Sequence, residues 1–258
     1  MLKKRSLFGR KLVDRVIRSF SMIAVLFSIA CVGWIIWVVI RHGIGVIDWD
    51  FLIEPTKPYG IGDSGIANAL IGTLMMTGMA IVLSVPAAIL AGIYLAEYGK
   101  ANRIGHWMRF AANVMMGMPS IIVGLFVYAL LVIPTGHFSG FAGSLALAII
   151  MFPLIMRTTE EMLGMVPYSL REAVLALGLS RIRTTRMVCK SARSGLATGI
   201  LLALARVGGE TAPLLFTALF ADRYPWHYFT GPTANLPVLI TEYATNSPFE
   251  SMHQAGWG

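Results

Sequence analysis

Three stretches of this chain run without Asp, Glu, Lys or Arg for longer than a soluble fold tolerates: Phe20 to Ile40, Ser64 to Ala96 and Phe110 to Met156. A helix needs about 20 apolar residues to cross the hydrocarbon core of a bilayer. Each of the first two runs therefore predicts one crossing. The third is too long for one and is interrupted at Pro134-Thr135-Gly136, which predicts two helices joined by a tight turn. A fifth run, Ser194 to Ala221, holds Arg206 and Glu210 inside it. A charge within a span costs about 2.5 to 3.5 kcal/mol on insertion scales, so two of them demand a partner or a function. The expected fold class is all-α, a polytopic transmembrane helical bundle with five visible spans. Composition agrees: 56% hydrophobic and 13% charged residues, with a mean hydropathy of +0.70, exclude an ordinary soluble domain.

The basic residues set an orientation. Segments 1–19, 97–109 and 157–193 carry 7, 3 and 7 Lys and Arg, 17 of the 21 in the chain. The intervening segments 41–63, 134–140 and 222–258 hold Arg41, Lys57 and Arg223. The positive-inside rule then predicts a cytoplasmic N-terminus. The net charge of +8 gathers on that face, where it meets anionic lipid headgroups and argues against a nucleic-acid footprint.

Residues 1–19 read as a basic amphipathic segment preceding a transmembrane domain over 20–258. Leu12, Val13, Val16 and Ile17 fall on one helical face against Lys11, Asp14, Arg15 and Arg18, which predicts a helix lying on the inner membrane surface. A signal peptide is excluded by the length of the following run and by Trp34, Trp37 and Arg41 where small residues belong. Cys31 and Cys189 lie in a span and a cytoplasmic segment, and the five histidines are scattered, so no metal site is expected.

No phosphate loop, HExxH or serine elbow is present, and no catalytic residue is expected. Ser120 stands in MGMPSIIVG, where Gly117, Pro119 and Gly124 loosen or break a membrane helix. Such a break fits a pathway lined by backbone, and equally a packing kink between close helices. In the outer segment, Tyr224, Trp226, Tyr228 and Phe229 suit interfacial anchors.

The cytoplasmic segment 157–193 predicts three short helices. Thr158 or Thr159 caps one that begins with Glu160 and Glu161 and ends at Pro167. Ser169 caps a second, with Leu170, Ala173, Val174 and Leu177 as an apolar stripe and Gly178 as its stop. A third starts near Ser180 and carries Arg181, Arg183 and Arg186. A short amphipathic helix between turns is shaped for the groove of a cytosolic partner.

Glu172-Ala173-Val174, then Gly178, then Val188 resembles the EAA loop of bacterial ABC importer membrane subunits. GTLMMTG at 72–78, YLAEYG at 94–99, GMPSIIVGLF at 117–126, ALAIIMFPLIMRTTEEML at 146–163 and LARVGGETAPLLFTA at 204–218 narrow the resemblance to the PstA family of phosphate-importer permeases. The resemblance covers roughly residues 15 to 257 and implies the type I ABC importer permease fold. It also implies an ATP-driven, high-affinity phosphate importer in the bacterial inner membrane. In that assembly a PstA-type chain pairs with a PstC-type permease. Two copies of a PstB-type ATPase use ATP and magnesium, and a PstS-type binding protein delivers phosphate. The chain itself would bind no cofactor and hydrolyse nothing.

Carried over by position, Glu172, Ala173 and Gly178 would form the coupling helix and its turn. Arg206, Glu210 and Thr211 would face the substrate pathway, with Ser120 and the helix-breaking Pro119, Gly208, Gly209 and Pro213. Four residues apart, Arg206 and Glu210 are expected on one helical face, either as a closed ion pair or with Arg206 exchanging Glu210 for a phosphate oxyanion. The chain departs from the EAA pattern at Val174 and at Lys190-Ser191, where Leu-Pro is usual. The resemblance further implies a sixth span, requiring about 20 to 30 residues beyond Gly258. A permease for molybdate or sulfate is the nearest alternative, and a non-transporting membrane scaffold a more distant one.

Overall fold

The computed structural model describes residues 7–57, 64–100 and 102–258, the side chains of 7–10 excepted. Residues 1–6 of the basic N-terminal segment, and Asp63, lie outside the described residues. Every regular element among the described residues is helical: α1 (Leu7–Gly43), α2 (Trp49–Ile53), α3 (Ala67–Glu97), α4 (Arg103–Gly117), α5 (Ser120–Val127), α6 (Ile133–Thr135), α7 (Gly140–Gly164), α8 (Tyr168–Ala176), α9 (Arg181–Ser191), α10 (Arg193–Gly208), α11 (Ala212–Thr217), α12 (Leu236–Thr241) and α13 (Glu250–Trp257). A π-type turn, Tyr128–Val132, links α5 to α6, and another, Glu242–Asn246, follows α12.

Three helices, α1, α3 and α7, are individually long and apolar enough to cross a membrane. Two bent pairs, α4 with α5–α6 and α9 with α10, raise the total to five among the described residues when each is taken as one crossing. The expected turn at Pro134-Thr135-Gly136 forms, with Gly136 at φ +73° taking the left-handed conformation that closes it.

α3 and α7 form the centre. Met76, Ala80, Ala88 and Leu95 of α3 pack on Leu147, Met151 and Ile155 of α7, all of them buried. Small residues let the backbones approach: a β-carbon on Gly92 would stand 2.5 Å from Thr159 Cβ. In contrast, α1 leaves its apolar surface exposed and touches the rest at its C-terminal end, where the His42 ring lies 5.1 Å from that of Trp257.

The separate surface helix expected over 11–18 does not form. No Gly or Pro interrupts Lys11 to Phe20, so α1 runs straight from the basic segment into the span. Its 37 residues extend about 55 Å at 1.5 Å per residue, well beyond the ~30 Å hydrocarbon core. That excess length leaves Lys11, Arg15 and Arg18 room to lie outside the hydrocarbon.

The segment between α11 and α12 folds back into the bundle. Ser139 N–H donates to the Thr217 carbonyl (3.0 Å) and Thr233 N–H to that of Ala218 (3.0 Å), while Leu219 adopts φ 60°. Tyr228, expected as an interfacial anchor, is 5% exposed: its ring lies against Gly140 and its hydroxyl meets that of Ser144. Trp226, 84% exposed, and Phe229 keep an anchor's position.

Candidate functional site

Two regions gather the residues singled out by sequence. The first is where the C-terminal ends of α3 and α7 meet α8. No new helix begins at Thr158 or Thr159; α7 continues to Gly164, and the Thr158 hydroxyl donates back to the Leu154 carbonyl within it. Within that last stretch Arg157 pairs with Glu160 at 2.6 Å, so the local charges support the helix they were expected to start. The chain turns through Met165 and Val166, and Pro167, with ψ 142°, stands as the N-cap of α8. Ser169 therefore lies inside the first turn and caps nothing. Gly178 ends the segment at φ +76° in open space, so its glycine serves the backbone conformation alone.

The apolar stripe of α8 is narrower than the pattern predicts. Val174 is buried and Leu170, half-buried, packs against a cluster that includes Leu163, Val166 and Val188, whereas Ala173 and Leu177 are exposed. Arg171 takes the remaining inward position, three residues before Val174 and 7% exposed, while the adjacent Glu172 faces out. Arg171 donates from Nη1 to the Val166 carbonyl (2.6 Å), from Nη2 to that of Leu163 (2.7 Å), and from Nε and Nη2 to the Glu97 carboxylate (3.1 and 2.9 Å). Beside this pair a cleft of about 250 Å³ opens between Glu97, Lys100, Tyr168, Glu172 and Arg181. Burial, with the negative Glu97 as a second cause, pushes the Cys189 thiol on α9 up from its ordinary range.

Arg109 makes the companion arrangement. From α4 its Nη1 and Nη2 donate to the Gly99 and Leu95 carbonyls, both at 3.1 Å, and its Nε to Glu160 of α7 at 2.6 Å. Sequence reasoning passed over both arginines. The available signal for Arg171 was its i, i+3 spacing with Val174, which puts a charge on the buried face of a short helix.

The second region joins two interrupted helices. The chain bends by 101° between α4 and α5, where Pro119 lacks an N–H and Met118 is extended. Ser120, half-buried, begins α5. Likewise α10 ends at Gly208, and Gly209, Glu210 and Thr211 form an unwound connector before α11. The two breaks converge: α5 packs on α11, with Gly124 directly against the buried Pro213. Helices thus end at Pro119 and at Gly208-Gly209 as expected, whereas Pro213 stands in the first turn of α11 and breaks no helix; the two regions meet through Gly124 and Pro213.

Arg206 and Glu210 do not share a helical face. Gly208 and Gly209 end α10 between them, leaving Arg206 in its last turn and Glu210 beyond it. No ion pair links them among the described residues. Val207 is buried in the core while Arg206 is exposed, on the face of α10 that also carries the exposed Leu202 four residues earlier. Thr211 precedes α11 without capping it. Among the described residues this guanidinium has no ion-pair partner, so it can serve an anion or a second chain. No group of three or more His, Cys, Asp or Glu gathers among the described residues.

Comparison with known proteins bears on both regions. Residues 88–222, which span α8 and the α10–α11 break, match the family described as binding-protein-dependent transport system inner membrane component. The chain is similar to the phosphate transport system permease protein PstA of Pasteurella multocida, at 42% identity over 96% of this chain and 88% of that one. It is similar to PstA 1 of Mycobacterium tuberculosis at 37% identity, over 92% of this chain and 79% of the relative. Its fold is like that of a chain in the inward-facing MetNI methionine ABC transporter, with a TM-score of 0.56 over 74% of this chain and 84% of that chain, at 19% identity.

Proposed function

We infer that this chain, which belongs to the family of binding-protein-dependent inner-membrane transport components and within it to the PstA permeases, is the membrane-spanning permease subunit of an ATP-driven inorganic phosphate importer. The observation that carries the substrate class is Arg206: a guanidinium exposed at the end of a membrane helix, without an ion pair among the described residues, beside an unwound connector. Left unpaired in hydrocarbon it would be costly, so its surface belongs against a second permease and a hydrated pathway. A PstC-type chain is the proposed second half.

In that pathway Arg206 offers a planar fork matched to phosphate oxygens. Glu210 and Thr211 ride on the connector, and Glu210 competes with the anion for the guanidinium so that phosphate is passed on and not retained. Gly208 and Gly209 leave the backbone there narrow and adaptable. Ser120 and Pro119 belong to the same zone through the contact of α5 with α11.

The driving subunits in this reading are two PstB-type ATPases, which use ATP and magnesium, and a PstS-type protein delivers phosphate from outside. Glu172 and Ala173 present the outward side of α8 to the ATPase, with Gly178 closing the turn. The N-terminus lies in the cytoplasm, on the face that concentrates Lys and Arg.

A guanidinium does not by itself separate tetrahedral oxyanions, so sulfate or molybdate is the second reading. The complex, reconstituted with its ATPase and binding protein, is expected to take up labelled phosphate in an ATP-dependent manner that excess sulfate or molybdate leaves intact. Uptake abolished by either competitor would reassign the substrate.

A further inference from the structure

We propose that Arg171 is a positioning residue that makes α8 move as one body with α3 and α7; the proposal rests on the reading of α8 as the surface gripped by an ATPase. α8 is joined to α7 through Met165–Pro167, a turn that can absorb a displacement applied at Glu172 before it reaches the membrane. Arg171 bridges that turn. Its Nη1 holds the carbonyl of Val166, in the turn, its Nη2 that of Leu163, in the last turn of α7, which also accepts the Val166 N–H (3.3 Å), and its Nε and Nη2 hold Glu97, the last residue of α3.

The bonds are charge-assisted, and the side chains of Arg171 and Glu97 are 9% and 12% exposed, so water competes little for them. Removing either partner leaves the other buried and uncompensated. Arg109 repeats the device from the other side, closing the end of α3 and pairing with Glu160 of α7. Each of the two central helices thus has its C-terminal end held by an arginine that also grips a carboxylate on the other. Neighbouring residues divide the task on α8, Glu172 facing the partner and Arg171 facing the bundle. A push at the first is delivered through the second to α3 and α7.

The test is the number of ATP molecules hydrolysed per phosphate imported by the complete complex in liposomes. Arg171→Gln is expected to raise that ratio on the order of tenfold, within the usual range of coupling between linked sites, while hydrolysis persists. Arg171→Lys, which keeps the charge and loses the fork, recovers part of the coupling. Glu97→Gln, which leaves both carbonyl contacts, gives a smaller rise. A purely structural cap would lower assembled complex and leave the ratio of what remains unchanged. If Arg171→Gln does not assemble, the other two variants decide: a wild-type ratio in both overturns the proposal. Import of another oxyanion by the wild-type complex would fell the substrate reading alone, since the ratio is then taken with that anion. A wild-type complex without ATP-driven anion uptake overturns the permease reading and this proposal together.

Discussion

Gly124 of α5 lies against Pro213 of α11 so closely that a β-carbon on Gly124 would stand 2.6 Å from the Pro213 Cα. The obstructing atom is backbone, which cannot turn aside. α11 begins immediately after Glu210 and Thr211, so any separation of α5 from α11 displaces the connector that carries them. Gly124→Val is therefore expected to lower phosphate uptake at least tenfold and to destabilise the chain by about 1 to 3 kcal/mol, the range for overpacking. Gly117→Ala, where a β-carbon meets nothing within 4 Å, is the control and should leave uptake and thermal unfolding unchanged.

Arg206→Gln removes the exposed guanidinium without adding bulk. Uptake by the assembled complex should fall at least tenfold, the factor that corresponds to loss of a charge-assisted hydrogen bond of about 1.5 to 3 kcal/mol. Arg206→Lys retains the charge but offers no fork, and should fall between the two. Uptake at the wild-type rate with equal complex in the membrane would remove Arg206 from the pathway.

Much of this architecture is legible in the sequence, and the parts that are not have identifiable reasons. The crossings show because absence of charge over about 20 residues is a local property. The break at Pro119 shows because proline lacks an N–H wherever it stands. Arg206 and Glu210 were misread because a helical spacing rule was extended across Gly208-Gly209, where helix termination prevails. Thr158 was misread in the opposite sense: a residue that can cap a helix also bonds back to the carbonyl four residues before it, and here the helix continued. The arginine contacts escape local reading, since Arg109 meets Glu160 across 51 positions and Arg171 meets Glu97 across 74. Tyr228 likewise finds Ser144 across 84 positions, and an aromatic in an outer loop carries no local mark of which end is buried.

Glu172 is exposed on the outward side of α8, with no contact that holds the bundle together. Glu172→Ala should accordingly leave the stability of the isolated chain within about 0.5 kcal/mol, as for surface substitutions generally. Co-purification with the ATPase, or transport driven by it, should nevertheless decline. Wild-type coupling in the alanine variant would exclude this carboxylate from the interface.

Gly178 occupies φ +76° with open space around the site of a β-carbon. Gly178→Ala therefore introduces backbone strain and no clash, at a cost of about 1 to 2 kcal/mol for a left-handed non-glycine residue. The turn between α8 and α9 would relax to avoid it and shift α8 relative to α9. Melting of the purified chain should drop accordingly, while Gly164→Ala, at a site also open but without positive φ, should cost little.

Cys189 offers a titration readout of the region around Arg171 and Glu97. Burial holds its thiol above the ordinary range, and the negative charge of Glu97 adds to the shift. Because the raised value favours the neutral thiol, the thiolate fraction at any given pH is smaller than for a free cysteine, and maleimide or iodoacetamide labelling should be slow at neutral pH. In a Cys31→Ser background, the midpoint of labelling rate against pH should lie above that of a small-molecule thiol. Glu97→Gln removes the second cause and leaves the first, so the midpoint should move down but not reach the free-thiol value. The same substitution loosens Arg171, so faster labelling could also come from greater access; these separate cleanly, since access raises the plateau rate at high pH whereas charge moves the midpoint. A midpoint unmoved by Glu97→Gln would show that the carboxylate is neutralised by Arg171 as seen from the thiol, and that burial alone sets its titration.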